Sequence, residues 1–231
     1  MAIIHQTTLV PAKLELLAGW LPAQPWYRPT GRAPDLARIG GFRLDDPAGE
    51  VGIEFMAVTD GSGEQATTYQ VPLTYRAAAC AEAGAGLLGT AEHGVLGRRW
   101  IYDGVRDPVL AAQLVALIQG DAAAQAQRVS NTPDPAVASR PVTGGHLTAT
   151  GSAVAADGPH GTDLRIRTAG ADAAPGGDLL VRVHRVLQPG SGADPGYGGP
   201  GRVTAPWHRP DGTQAHGSWA TARSYPAGAD G

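Results

Sequence analysis

The sequence predicts an α+β fold, an antiparallel sheet with a helix at each end followed by a small β-rich unit, and three observations carry that expectation. Val51, Ile53, Phe55 and Ala57 alternate with Gly52, Glu54, Met56 and Val58, and Tyr69, Val71, Leu73 and Tyr75 form a second alternating set; a period of two marks a strand. Asp107-Pro108 and Gly120 bracket a helical stripe of leucines. Beyond a stretch without periodicity only strand candidates follow, and 33 glycines and 19 prolines in 231 residues call for many turns.

Taken in order, Pro11 opens a short helix with Leu14, Leu17 and Leu21 on one face, and Pro22 stops it. An aromatic, proline-rich connection, Gln24 to Pro29, and a loop from Thr30 to Asp35 lead into strands from Arg38 onward. Glu50 to Thr59 and the Tyr69 to Tyr75 run, separated by the turn Asp60-Gly61-Ser62-Gly63, make a hairpin. Pro72 has no N–H for a ladder, so its strand is expected at an edge or facing solvent on that side. Two more strands are expected at Leu87 to Glu92 and Arg98 to Tyr102. Asp107 then caps a helix with Pro108 at its first position, Leu110, Leu114, Leu117 and Ile118 on one stripe, and Gly120 just past the end.

Alanine, proline and small polar residues without a period fill the segment 123–145, which reads as a linker between a first domain, 1–122, and a β-rich domain, 146–225. The second domain holds strand candidates at His146 to Ala155, Thr162 to Thr168, Asp178 to Leu187, Arg202 to His208 and His216 to Tyr225. Its glycine- and proline-rich interruption, Gln188 to Gly201, is expected to be a mobile loop, and 226–231 a disordered tail.

Composition excludes several classes. With 18 basic and 21 acidic residues scattered along the chain there is no electrostatic footprint for nucleic acid. Cys80 is the only cysteine, which rules out an internal disulfide and a cysteine metal cluster and reads as a partly buried thiol in a reducing compartment. The N-terminus lacks a basic region followed by an apolar run, and no later stretch is apolar enough to span a bilayer, so a cytoplasmic protein with no membrane contact is expected.

Candidate chemistry is sparse. The seven histidines show no metal-ligand spacing, and neither metal nor cofactor is expected. Gly89, Gly94 and Gly97 lack the lysine and hydroxyl residue of a phosphate loop and read as a turn. Glu92 and His93, neighbours on a strand, point to opposite faces and serve the turn through hydrogen bonds. Among Asp45, Asp46, Glu50 and Glu54 nothing singles out a carboxylate pair for glycoside cleavage. Trp20 and Trp100 are assigned to the core, whereas Trp26 and Tyr27 in their proline-rich loop, with Arg98 and Arg99, are candidate ligand-binding residues for a carbohydrate or its phosphate.

Three blocks together resemble a known family: G-T-A-E-H-G-V-L-G-R-R-W-I-Y-D-G-V-R-D-P from Gly89 to Pro108, F-R-L-D-D-P-A-G-E-V-G-I-E from Phe42 to Glu54, and V-P-L-T-Y-R from Val71 to Arg76. They are similar to the N-terminal cap of the actinobacterial maltokinases, sugar kinases that make maltose 1-phosphate between trehalose and α-glucan. The resemblance implies a cystatin-like curved antiparallel sheet with flanking helices over 1–122. It is fainter at L-L-V-R-V-H-R-V-L-Q-P-G, Leu179 to Gly190, which resembles the N-lobe strand bearing the nucleotide lysine; the matching position holds Arg182, so the β-rich domain reads as a degenerate kinase N-lobe. Lys13, the sole lysine, lies before the sheet, and the roughly fifty residues after Arg182 are short of a helical C-lobe with its two aspartates. Ser130-Asn131-Thr132 is similar to a turn of that N-lobe, but Pro133-Asp134-Pro135 breaks the strand expected after it.

The expectation is therefore a non-catalytic cap-like protein, not an enzyme, acting as a binding or regulatory partner in trehalose, maltose or α-glucan (glycogen) metabolism. Its partner would be a protein or a small carbohydrate. Two alternatives stand beside it: a maltosaccharide or sugar-phosphate binder using Trp26, Tyr27, Arg98 and Arg99, and a residual ATP-dependent sugar kinase.

Overall fold

Two antiparallel sheets share one helix between them. A computed structural model describes residues 8–63, 66–127, 129, 131–143, 145–170, 177–190 and 199–225; the expected tail at 226–231 and the centre of the loop expected at Gln188 to Gly201 lie outside the described residues. In chain order the strands of the first sheet are β1 (Leu9–Val10), β2 (Leu36–Leu44), β3 (Gly52–Asp60), β4 (Thr67–Arg76), β5 (Leu87–His93), β6 (Gly97–Asp103) and β7 (Gln125–Ala126). They lie in the order β1-β5-β6-β4-β3-β2-β7. The second sheet comprises β8 (Ala138–Arg140), β9 (Leu147–Asp157), β10 (Gly161–Gly170), β11 (Asp178–His184), β12 (Gly201–His208) and β13 (Gln214–Tyr225), ordered β8-β12-β13-β11-β10-β9. Among the described residues the α-helices are α1 (Lys13–Trp20) and α2 (Pro108–Gln119).

The fold-class expectation is corrected here. The described residues are 49% strand and 15% helical, two curled antiparallel sheets with two short helices, and not an α+β cystatin-like sheet flanked by helices. The physical reason is the position of α2. Its stripe Leu110, Leu114, Leu117 and Ile118 packs in one core with Phe42 and Phe55 of the first sheet and Val181, Val203 and Trp219 of the second. Local periodicity identifies the longer strands and the helix, but it carries no information on which sheet a helical stripe will meet.

Strand β3 shows how the layers stack. Ile53, Phe55 and Ala57 face α2 and the second sheet, while Met56 and Val58 face a smaller core with Leu17 and Leu21, Trp26, Tyr69 and Val71, so all but the first residue of β3 is buried. Helix α1 covers that second face. It starts at Lys13, with the Ala12 N–H donating to Glu15 Oε2 at 2.8 Å.

Pro72 does not mark an edge, and that expectation is corrected too: β4 is central, between β3 and β6. The Gln70 N–H donates not to β3 but to the Arg185 carbonyl at 2.9 Å, and two residues on, the Pro72 nitrogen faces the same side. The β6 ladder begins only at Leu73, so the missing donor falls in the gap between the two neighbours. Around that gap the Leu187 N–H donates to the Thr68 carbonyl at 2.9 Å and Tyr69 bridges Val186, joining the two sheets through β4.

The segment 123–145 carries β7, which pairs with β2, and β8, which pairs with β12; Ala124 and Val142 are buried in the shared core.

Candidate functional site

The proline-rich connection enters the smaller core. A 3-10 turn, Leu21–Ala23, carries Pro22 at its start, and the Tyr27 N–H then closes a turn on the Gln24 carbonyl at 3.0 Å. This rolls Trp26 and Tyr27 inward, to 1% and 9% exposure. Trp26 lies 5.7 Å from Trp20 and 5.9 Å from Tyr69 between ring centroids, and Tyr27 lies 5.6 Å from Tyr69. The Tyr27 hydroxyl donates to Asp60 Oδ2 at 2.8 Å; burial first, and the Asp60 carboxylate second, push the phenol up to about 12. Both rings are packed inside, with little surface on which a sugar could stack. Trp20 and Trp100, assigned to the core, are the partly exposed pair.

Beneath Trp26 sits a fully buried cation. Arg185 Nε donates to Thr162 Oγ1 at 2.8 Å, Nη2 donates to Asp103 Oδ2 at 2.6 Å, and the guanidinium lies 4.8 Å from the Trp26 ring centroid. Burial pushes Asp103 up and Arg185 pulls it down; burial wins. Asp103 Oδ1, Arg185 Nη1 and Trp26 Nε1 make no hydrogen bond among the described residues. Sequence reasoning missed Arg185, although the signal was there: with Val181 and Val183 pointing inward, a period of two sends Arg185 inward as well.

A second buried charge is Glu54, under the first turn of α1. It accepts from Lys13 Nζ at 2.5 Å, the Tyr75 hydroxyl at 2.7 Å and Gln127 Nε2 at 2.9 Å, with Arg38 at 3.9 Å. Burial pushes its carboxyl up, but the Lys13 ammonium and the three donated hydrogen bonds together bring it below the ordinary value. The same carboxylate, adding to burial, drives the Tyr75 phenol well above its usual range. The only lysine of the chain thus serves to anchor α1 on the sheet.

The remaining candidates are dispersed. Arg98 Nε donates to Glu92 Oε1 at 2.8 Å and Arg99 Nη2 to the Leu96 carbonyl at 2.6 Å, at the tip of the β5–β6 hairpin. The β4–β6 register sets Trp100 opposite Arg76, seven residues along β4 from Tyr69 and so roughly 23 Å away. Arg98 and Arg99 therefore do not join Trp26 and Tyr27 in one site. Arg182 forks onto Asp163, the residue directly opposite on β10, with Nε to Oδ1 at 2.7 Å and Nη2 to Oδ2 at 2.8 Å. His93 Nδ1 accepts from the Val95 and Leu96 N–H groups at 3.3 and 3.0 Å and so holds the hairpin turn. Cys80 is a free, partly exposed thiol. Among the described residues, no three His, Cys, Asp or Glu side chains converge on a point where a metal would bind, and no helix is long and apolar enough to cross a membrane.

The fold and these clusters define a two-sheet β protein whose first sheet is pinned on both faces by helices and by buried ionic groups. Residues 20–107 match the family model of the maltokinase N-terminal cap domain, so the stretch from Trp20 to Asp107, β2 through β6 and up to the cap of α2, is a cap-like domain. No curated protein matches the chain.

Proposed function

We propose that this chain is a non-catalytic cap-like protein that acts as a binding or regulatory partner in trehalose, maltose or α-glucan metabolism. The cap-domain match supports the pathway by analogy alone. The observation that carries the non-catalytic part is the engagement of the basic groups. A phosphoryl-transfer site needs a cation held toward the nucleotide phosphates. Arg182, at the position resembling the nucleotide lysine, is forked onto Asp163 in its own sheet, and Lys13 is held by the buried Glu54. Arginine in that fork has its planar edge already matched to a carboxylate, unlike a lysine ammonium that can turn to a phosphate.

Affinity capture from native cells with the tagged full chain tests the reading, and an enzyme of trehalose, maltose or α-glucan turnover is the expected partner. ATP-dependent phosphorylation of maltose or glucosamine by the purified chain, lost on Arg182→Ala, would sink it.

A further inference from the structure

Strand register gathers basic residues that are scattered in the sequence. Across the face of the second sheet opposite its core, one row reads Arg140, Arg202, Thr221, Arg182, Asp163 from β8 through β12, β13 and β11 to β10. Residues two further along the strands add Arg223 beside Leu180 and Arg165, and the next row adds Arg167 opposite Asp178. Among the described residues this face thus carries six arginines against two aspartates, in a chain of net charge −3.

The compensation is uneven. Asp163 is forked by Arg182, and Asp178 lies 2.5 Å from Arg165 and 4.0 Å from Arg167. Arg140 and Arg202 are directly opposed across the β8–β12 ladder, about 5 Å apart at Cα, and among the described residues neither side chain makes an ion pair or hydrogen bond. Asp163 is three strands from Arg202, roughly 14 Å, beyond the Debye length of about 8 Å at physiological salt. Like charges directly opposite across two strands are unfavourable unless an anion lies between them. Next in the row is the Thr221 hydroxyl, 5% exposed and 3.2 Å from His184 Nε2. Exposure falls along the row from Arg140, which is open, through the half-buried Arg202 to Thr221. The row runs from solvent inward.

We propose that Arg140, Arg202 and Thr221 form a binding site for the phosphate group of a small phosphate-bearing molecule. Two guanidinium forks on adjacent strands match the tetrahedral oxygens of a compact dianion better than they match an extended polymer, because the excess charge is concentrated at the β8–β12 end of the face. The site is independent of the proposed regulatory role.

Titration calorimetry on the full chain at low salt, with inorganic phosphate, glucose 1-phosphate and adenosine monophosphate as probes and glucose as neutral control, tests it. Saturable binding of all three phosphates and none of glucose is expected; tighter binding of one ester would identify the group the phosphate brings with it. Arg140→Ala/Arg202→Ala should weaken phosphate binding by about tenfold or more and Thr221→Val by less, while Arg209→Ala, in the exposed turn at the other end of β12, leaves it unchanged. Because the double variant removes a like-charge pair, its Tm at low salt should be no lower than that of the parent, and added phosphate should raise the parent's Tm alone. Equal phosphate binding by the parent and the Arg140/Arg202 variant, or no saturable binding of any probe, overturns the site.

Discussion

Glu54 is buried under α1 and still ionised because every oxygen lone pair that matters is answered: Lys13, Tyr75 and Gln127 all donate to it. Burial alone would raise its carboxyl, and these partners take it below the ordinary value of 4.5. A carboxyl depressed on folding binds its proton more tightly in the unfolded chain, so its contribution is present above pH 4.5 and is lost as pH falls through the folded value. Glu54→Gln should therefore cost about 2 kcal/mol at neutral pH, less than the roughly 3–5 kcal/mol of a fully buried broken pair because Lys13 is one-third exposed. Urea unfolding at several pH values reads this directly. The gap between parent and variant must close below pH 4.5; a gap that stays constant to pH 3 would show that shape, not charge, is what Glu54 supplies. Asp103 carries the opposite sign. Its carboxyl is raised by burial despite Arg185, so ionising it costs stability as pH rises through the folded value.

Helix α2 begins where one residue meets two demands. Asp107, fully buried, accepts from the Val109 N–H at 2.9 Å as N-cap and takes the Arg76 fork at 2.7 Å on each oxygen. Asp107→Ala should lower stability by about 3 kcal/mol, roughly one from the cap and the rest from leaving Arg76 largely buried without its counter-charge. Asp107→Asn keeps a capping oxygen and should lose only the second part; equal losses in the two variants, measured as denaturant midpoints at constant m-value, would contradict this division. The cap, Pro108, the leucine stripe and the left-handed Gly120 at φ 87° were all legible, because each acts within one or two turns of chain. The strands with a clear period were legible for the same reason. What escaped was non-local: β7 and β8 are two and three residues long and exist only through their pairing with β2 and β12. Pro72 suggested an edge because a sequence does not show that a neighbouring ladder stops one residue short. The prolines around Trp26 and Tyr27 signal a loop, and the sequence does not show that a 3-10 turn carries both rings inward.

At the scale of the molecule the two sheets are held to each other by more than a crossing of chain. Phe42 stacks on Phe55 at 4.7 Å and tilts against Trp219 of the second sheet at 5.3 Å, and β2 approaches β12 closely enough that a side chain at Gly40 would meet Trp207 Cα and Cβ at 3.1 Å. Separating the sheets would expose Phe42, Phe55, Leu110, Leu114, Trp207 and Trp219, each buried to within 2%. At about 1.5–3 kcal/mol for each large apolar side chain, that is on the order of 10 kcal/mol, as much as the whole stability of an ordinary domain. The buried Arg185 adds to the cost, since it belongs to the strand extension of the second sheet while its carboxylate partner, Asp103, ends β6 of the first. The two sheets should consequently unfold together: tryptophan fluorescence and far-UV circular dichroism should give coincident denaturation curves for the full chain. Residues 1–122 expressed alone should bind a hydrophobic dye and lack a sharp thermal transition, because Phe42, Phe55 and the α2 stripe would face water. Two resolved transitions in the full chain, or a cooperatively folding 1–122 fragment, would mean that the interface contributes far less than its buried area requires, and that the cap-like domain stands without the second sheet.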